Sequence, residues 1–344
     1  MTAVLDAVDR ALRSYAADDR GTAGEAGARG VLLAVSGGCD SIVLLHAAAR
    51  TARAAVRAVA TFDHGTGAHA REALAIVRAA ARALDTPLVE GAASAAGRSE
   101  AEWRDARWSF LQAVANARGA AAIATAHTRD DQLETVLMRA VRGAGARGLA
   151  AMTARSPRVI RPLLGVGRAE VAAYAEARAL RWVEDPSNGD RRHLRARVRA
   201  DLLPAIERAR PGSAARLFGV AAAAARWRTE VDAWTTHASG RVAVSALDGI
   251  SAAALAVFWP AFAARAGVRL DRRATARLVA YTPAVIGRIR DGTVQPAHVT
   301  VAGGAVELRH VAARPGTART WTFVVQAAGV ARGDVAASLA SDYA

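Results

Sequence analysis

Ser36-Gly37-Gly38-Cys39-Asp40-Ser41 sets two glycines between two hydroxyls, directly after the five apolar residues Val31 to Val35. Adjacent glycines let the backbone bend tightly and come close to a ligand, and successive N–H groups at a helix start form a concave site for an anion. Asp40 is the informative member. A carboxylate beside phosphates repels them unless a divalent cation lies between, or unless it caps the helix backbone instead. Two more polar clusters also follow apolar runs. Asp63-His64-Gly65 closes Val56 to Phe62, and His127 to Asp131 closes Ala121 to Ala126.

These clusters need a scaffold that brings them together. From Gly30 onward, short apolar runs alternate with helical ones: strands at 31–35, 56–62, near 88 and at 121–126, with helices from about residue 42, over 70–84 and over 99–118. That alternation, with strands apolar along nearly their whole length, predicts an α/β fold: a doubly wound, mostly parallel sheet with helices on both faces. Ligands of such sheets bind at the carboxyl ends of the strands. All three clusters fall there, although they lie far apart in sequence.

Further helices are expected at about 168–180, 214–234, 252–266 and 272–281, and Gly303-Gly304 between alternating apolar residues signals a hairpin over 299–311. The expected organisation is a catalytic domain over 1–212, a linker helix over 213–235, a smaller, mainly helical accessory domain with a short hairpin over 236–328, and a flexible tail over 329–344.

The chain has 344 residues, enough for about two domains at roughly 150 residues each. Its single cysteine excludes an internal disulfide, a multi-cysteine zinc site and an iron–sulfur cluster. All 46 basic residues are arginine, and the net charge is +15. The lack of lysine removes Schiff-base chemistry and the lysine-bearing Walker loop, so a phosphate must be held by backbone, hydroxyls, arginine or metal. The excess of positive charge points to a polyanionic partner. The acidic Asp6 and Asp9 near the start do not suit a signal peptide, and no apolar run approaches the roughly 18 residues of a bilayer span. The expectation is a cytoplasmic protein without a membrane partner.

The hexapeptide 36–41 resembles the S-G-G-x-D-S pyrophosphate loop of the N-type ATP pyrophosphatases. Phe62-Asp63-His64-Gly65, the stretch from Ala126 to Thr135, Arg142 to Leu149, Arg161-Pro162-Leu163-Leu164 and Trp182 to Asn188 resemble the tRNA(Ile)-lysidine synthases more specifically, over about residues 31–204. The resemblance implies ATP and Mg2+ as co-substrate and cofactor, with L-lysine and an isoleucine tRNA bearing a CAU anticodon as partners. The wobble cytidine would be adenylated at its C2 oxygen with loss of pyrophosphate, and the lysine ε-amine would then displace AMP to form lysidine.

On that reading Ser36, Gly37, Gly38, Cys39, Asp40 and Ser41, with Asp63 and His64, bind the nucleotide, and Asp40 places the magnesium. Asp130, Asp131 and Glu134 open a helix, and spacings of three and four put Glu134 on one face with both aspartates. Clustered carboxylates suit a substrate with two ammonium groups. Carboxylates in a first turn also stabilise the helix itself, so Asp130 has two readings. His127 could accept the proton released by the attacking amine, or serve as a hydrogen-bonded structural residue. Arg104 and Arg107 match a basic helix that the family places beside the active site, where they would meet triphosphate or tRNA. Arg195, Arg197 and Arg199, within the dense run from Arg191, are expected on tRNA phosphates.

Two departures stand out. Ala196 stands where the resemblance leads one to expect the asparagine of a common Arg-Asn pair, and the sequence ends soon after the expected accessory domain, where longer members are expected to carry a further C-terminal one. Rival readings are a tRNA thiolase, an ammonia-using ATP-dependent amidoligase, and a non-catalytic RNA-binding protein on the same fold. The sequence leaves the oligomeric state open, a dimer being one option.

Overall fold

The computed structural model describes residues 2–17, 30–63, 65, 67–93, 100–156, 158–184, 191–234, 240–302, 304–312 and 319–327. Contacts divide the chain into two units, Met1–Ala225 and Arg226–Ala344.

The first unit is built on β1 (Gly30–Ala34), β2 (Val56–Asp63), β3 (Leu88–Ala92), β4 (Ala120–Ala124), β5 (Arg155–Ser156) and β6 (Val159–Ile160). Their order is β3-β2-β1-β4-β6-β5, parallel throughout except for the β5–β6 pair. Every residue of β1 is buried, and the period of two sends alternate side chains to opposite faces. Val31 and Leu33 join α1 (Thr2–Ala17), α2 (Cys39–Thr51) and α7 (Arg168–Glu176) in one core, through Val8, Leu12, Leu44, Leu45 and Val171. Leu32 and Ala34 meet Leu111, Val114 and Ala115 of α4 (Glu100–Ala117) on the other face. Burial on both faces is what an unbroken apolar strand requires.

From β1 the chain builds outward through β2 and β3, and then returns to add β4 on the opposite side of β1. This reversal opens a crevice between the carboxyl ends of β1 and β4. The loop after β1 and the start of α5 (Arg129–Val141) therefore become neighbours. Helix α3 (Ala68–Ala83) joins β2 to β3, and α6 (Ala146–Leu149) follows α5.

Some boundaries differ from the sequence expectation. The fourth strand ends at Ala124, although the N–H of Thr125 still donates to Ile160 O at 3.0 Å. Helix α7 ends at Glu176 instead of reaching residue 180, because Ala179 adopts φ +49° and the Leu180 N–H turns back to Ala175 O. That is the six-to-one bond of a left-handed helix stop, made here without glycine. After α7 come α8 (Leu194–Arg197), a π-helical turn (Val198–Leu202), α9 (Leu203–Ala209) and α10 (Ser213–Trp234), within which the division between the units falls.

The second unit contains β7 (Arg241–Ala243), α11 (Ala252–Arg265), α12 (Arg272–Arg290), β8 (Ala297–Val301), β9 (Gly304–Ala312) and β10 (Arg319–Ala327). The expected hairpin forms from β8 and β9, as half of an antiparallel sheet ordered β7-β10-β9-β8. Trp259, Phe262 and Phe323 lead its core. Helix α12 was expected to stop before Pro283 but runs on to Arg290. Leu278, Thr282 and Val285 are buried along one face, and Thr282 Oγ1 accepts from Trp259 Nε1 at 3.0 Å while donating to Leu278 O at 2.7 Å. This burial outweighs the backbone bond that proline forfeits. Gly303 and residues 328–344, including the expected tail, lie outside the described residues. Among the described residues no helix is long and apolar enough to cross a membrane.

Candidate active site

The loop after β1 is clasped by one buried hydroxyl. Ser41 Oγ accepts N–H bonds from Ser36 and Gly37, each at 3.2 Å, and donates to Gly38 O at 2.8 Å. The Val183 N–H fastens the loop from outside, donating to Gly37 O at 3.0 Å. Gly37 has φ +90°, and a Cβ there would lie 2.9 Å from Ala73 Cβ and 3.0 Å from the Ala73 backbone. Only glycine fits both requirements. The N–H groups of Gly38, Cys39 and Asp40, at the start of α2, have no acceptor among the described residues. Three free donors at a helix N-terminus make an anion site.

Asp40 stands half-buried beside these donors. Burial pushes its carboxyl up to about 6; Arg168 and Arg199 oppose the shift, and Asp131 and Asp130 add to it. Burial, reinforced by Asp40, raises the Cys39 thiol to about 11, so this residue is a protonated spacer. Asp63, at the end of β2, accepts the Gly65 N–H on Oδ1 at 2.7 Å and so shapes its own turn. His64 lies outside the described residues, as does Asp185-Pro186-Ser187-Asn188.

Across the crevice, α5 begins with a capping box. Thr128 N donates to Asp131 Oδ2 at 2.8 Å, and Thr128 Oγ1 donates to the same oxygen at 3.0 Å. Asp130 Oδ2 accepts the backbone N–H of Arg168 at 2.7 Å. Gln132 fixes the following loop by bonding Met152 N and Met152 O, both at 2.9 Å.

The carboxylates expected to receive ammonium groups already face guanidiniums. Glu134 is fully buried, with 0% of its side chain exposed. Its Oε1 accepts from Arg199 Nε at 2.6 Å and Arg168 Nη1 at 3.3 Å, and its Oε2 from Arg195 Nε at 2.6 Å and Arg199 Nη2 at 3.3 Å. Asp131 Oδ1 accepts from Arg168 Nη2 and Arg195 Nη2, each at 3.0 Å. Burial drives the Asp131 carboxyl up, but the Thr128 backbone N–H, Arg168 and Arg195 outweigh it and hold the group below the usual aspartate range. Arg168 also reaches toward the loop, its Nε 4.0 Å from Asp40 Oδ2.

Two of the arginines expected at tRNA phosphates belong to this layer. Arg195 and Arg199 pair with Glu134 and Asp131, because a buried carboxylate pair needs compensating cations. Their i, i+4 spacing across the π turn was the signal that one face carried both. Arg197, on the opposite side, is exposed, while Ala196 is buried. Arg168 was not singled out in the sequence; nothing in its surroundings there marks it as a contact to the acidic cluster.

His127 projects from the segment after β4, with Nδ1 2.8 Å from Thr125 Oγ1. Burial lowers it to about 4; Asp131 resists, while Arg161, Arg195 and Arg107 contribute in the same direction as burial. The imidazole is neutral at pH 7. On α4, Arg104 is exposed and Arg107 half-buried, and burial followed by the nearby Arg104 disfavours the Arg107 cation.

Comparison with known proteins places this geometry. The PP-loop domain family matches residues 8–206. A tRNA(Ile)-lysidine synthase of Pseudomonas aeruginosa is 45% identical over 214 residues, covering 60% of this chain and 47% of that protein. One from Thermobifida fusca is 39% identical over 260 residues, covering 73% of this chain and 77% of the relative. The chain spans about half the length of the Pseudomonas aeruginosa and Burkholderia mallei relatives, 47% in each case. Among solved structures, the U34-tRNA thiolase NcsA from Methanococcus maripaludis with its [4Fe-4S] cluster shares the fold, at 16% identity and a TM-score of 0.51, over 65% of this chain and 80% of that one. Given a matched profile over more than half its length and a relative matched over most of its own, the chain belongs to the PP-loop domain family and, within it, to the tRNA(Ile)-lysidine synthase family.

Proposed function

We propose that this protein uses ATP to join L-lysine to C2 of the wobble cytidine of an isoleucine tRNA with a CAU anticodon. The observation that carries the proposal is the row of three free N–H donors at Gly38, Cys39 and Asp40, facing the α5 carboxylates and their arginines across the crevice. A nucleotide's β- and γ-phosphates fit the donors, and an amino acid fits a layer holding both signs of charge.

In the reaction the cytidine C2 oxygen attacks the α-phosphorus of ATP, and pyrophosphate leaves. The loop N–H groups stabilise the charge that builds on the departing pyrophosphate. The neutral lysine ε-amine then attacks C2, AMP departs with the C2 oxygen, and the amine gives up a proton. His127, neutral and held by Thr125, accepts that proton in passing and releases it readily, since its burial disfavours the imidazolium. Asp131 and Glu134 act through the arginines they orient. Arg104 and Arg107 approach the triphosphate or the RNA from α4.

Asp40 is the residue that would hold magnesium. Among the described residues no group of three or more His, Cys, Asp or Glu forms a metal cage. A single partly exposed carboxylate suits Mg2+, which is bound largely by substrate phosphates and water. When bound, the ion would neutralise phosphate charge during pyrophosphate departure.

Exposed Arg197, Arg208 and Arg210 supply phosphate contacts for tRNA in the first unit, and we assign the second unit to tRNA as an accessory domain. Incubating the purified protein with the isoleucine tRNA transcript, ATP, Mg2+ and labelled lysine tests the proposal. Label on the tRNA, dependent on ATP, is the expected result; folded protein that transfers none would reject it.

A further inference from the structure

Two carboxylates that look like an ammonium receptor are saturated. Glu134 has no exposed surface and four guanidinium contacts. Asp131 spends Oδ1 on Arg168 and Arg195 and Oδ2 on Thr128. An incoming ammonium would have to displace a guanidinium from a buried partner and leave that cation without its counter-charge. What remains open toward the crevice is the outer edge of the arginines.

The three arginines are not equivalent. Arg168 points to the phosphate loop, with Asp40 4.0 Å from its Nε. Arg199 uses both Nε and Nη2 on Glu134 and is 31% exposed. Arg195 is 43% exposed, and it presents one edge to the acids: Nε to Glu134 and Nη2 to Asp131. Its Nη1 has no partner among the described residues. Arg195 also bears electrostatically on the His127 ring. A guanidinium fixed along one edge by two buried carboxylates, with its other edge free, is a preorganised carboxylate receptor.

We propose that Arg195 recognises the α-carboxylate of the amino-acid substrate, with Glu134 and Asp131 serving to orient its guanidinium. This rests on the reading of lysine as substrate. It reverses the simplest electrostatic picture, in which the acidic cluster itself binds the amino acid through its ammonium groups. The carboxylate end is anchored on the α5 side of the crevice, and the ε-amine extends toward His127 and the activated base.

Cadaverine provides the test, since it keeps the ε-amine and lacks the α-carboxylate. Binding of lysine and of cadaverine to the full chain loaded with ATP is measured by calorimetry, and label transfer to tRNA is followed separately. The wild type should bind lysine at least tenfold more tightly than cadaverine, and Arg195→Gln should bring the ratio close to one by weakening lysine alone. Arg195→Lys, which keeps the charge but loses the planar fork, should recover part of the ratio. Equal binding of the two ligands by the wild type, or a preference unchanged in both variants, would overturn the assignment. Discrimination that depends on Arg195 without transfer to tRNA would uphold it while rejecting the proposed reaction. The ratio is taken within each protein, so a loss of stability common to both ligands cancels.

Discussion

Arg199 Nε and Glu134 Oε1 lie 2.6 Å apart, joining the π turn after α8 to the first turns of α5 across 65 residues of sequence. Arg195, one helical turn earlier, takes the other oxygen of the same carboxylate, at 2.6 Å. Glu134 is therefore the hub about which the arginine layer is arranged, and it touches no solvent.

Removing that hub should be costly. Glu134→Ala leaves Arg168, Arg195 and Arg199 without their shared partner and is expected to destabilise the first unit by about 3–5 kcal/mol in chemical denaturation. The exposed Arg191–Asp201 pair, 3.1 Å apart, is the matched control: Arg191→Ala should change stability by less than about 1 kcal/mol. Similar losses from both variants would show that the network does not carry the charge balance described.

The two loop glycines should separate folding from ligand binding. Gly37→Ala combines φ +90° with a 2.9 Å contact to Ala73 and should lower stability by about 1–3 kcal/mol. Gly38 has φ −74°, and the nearest atom to a Cβ there is 3.8 Å away, so Gly38→Ala should fold normally. Its methyl group would instead intrude where phosphate approaches the N–H row, so nucleotide affinity, measured by calorimetry, should fall at least tenfold.

Asp40→Asn should trade function for stability. In the folded state the Asp40 carboxyl is raised to about 6, against about 3.8 ordinarily, so its ionisation opposes folding once the pH exceeds the lower value. The variant should melt at a higher temperature than the wild type at pH 8, with the difference shrinking toward pH 4. Its pyrophosphate release should drop by two orders of magnitude or more. A melting difference independent of pH would contradict the buried-carboxylate account.

His127 should work in the opposite sense. Its folded value of about 4 lies below the ordinary 6.5, so the unfolded chain takes up a proton that the fold refuses. The resulting stabilisation is complete above about pH 6.5 and is lost as the pH falls toward 4. His127→Gln should flatten this segment of the stability-against-pH curve. A wild-type slope retained in the variant would assign it to other groups.

Binding of tRNA should weaken steeply as salt rises, because arginine–phosphate contacts release counterions. Arg197→Ala and Arg210→Ala should each lower the log–log slope by about 0.7–0.9, whereas the paired Arg199 should not contribute to it. A slope unchanged by the first two variants would move the RNA surface elsewhere.

The sequence by itself determined the parallel sheet, since strands buried on both faces must be apolar at every position, as Val31 to Ala34 are. It also determined the turn of the phosphate loop: the positive φ of Gly37 and the Ser41 clasp are local, set within six residues, whereas the close approach of Ala73 to Gly37 comes from the tertiary fold. The partners of α5 were decided only by tertiary structure. Whether Arg195 and Arg199 meet RNA or Glu134 depends on how α8 and the π turn return to the crevice, and composition reads a solvated arginine and a buried one alike. Arg168 shows the same limit, because its links to Asp40, Asp131 and Glu134 arise from three separate elements converging at the strand ends. Electrostatic pairing acts through space, and side chains 34 to 65 residues apart acquire their partners only when the sheet reverses its direction of growth at β1.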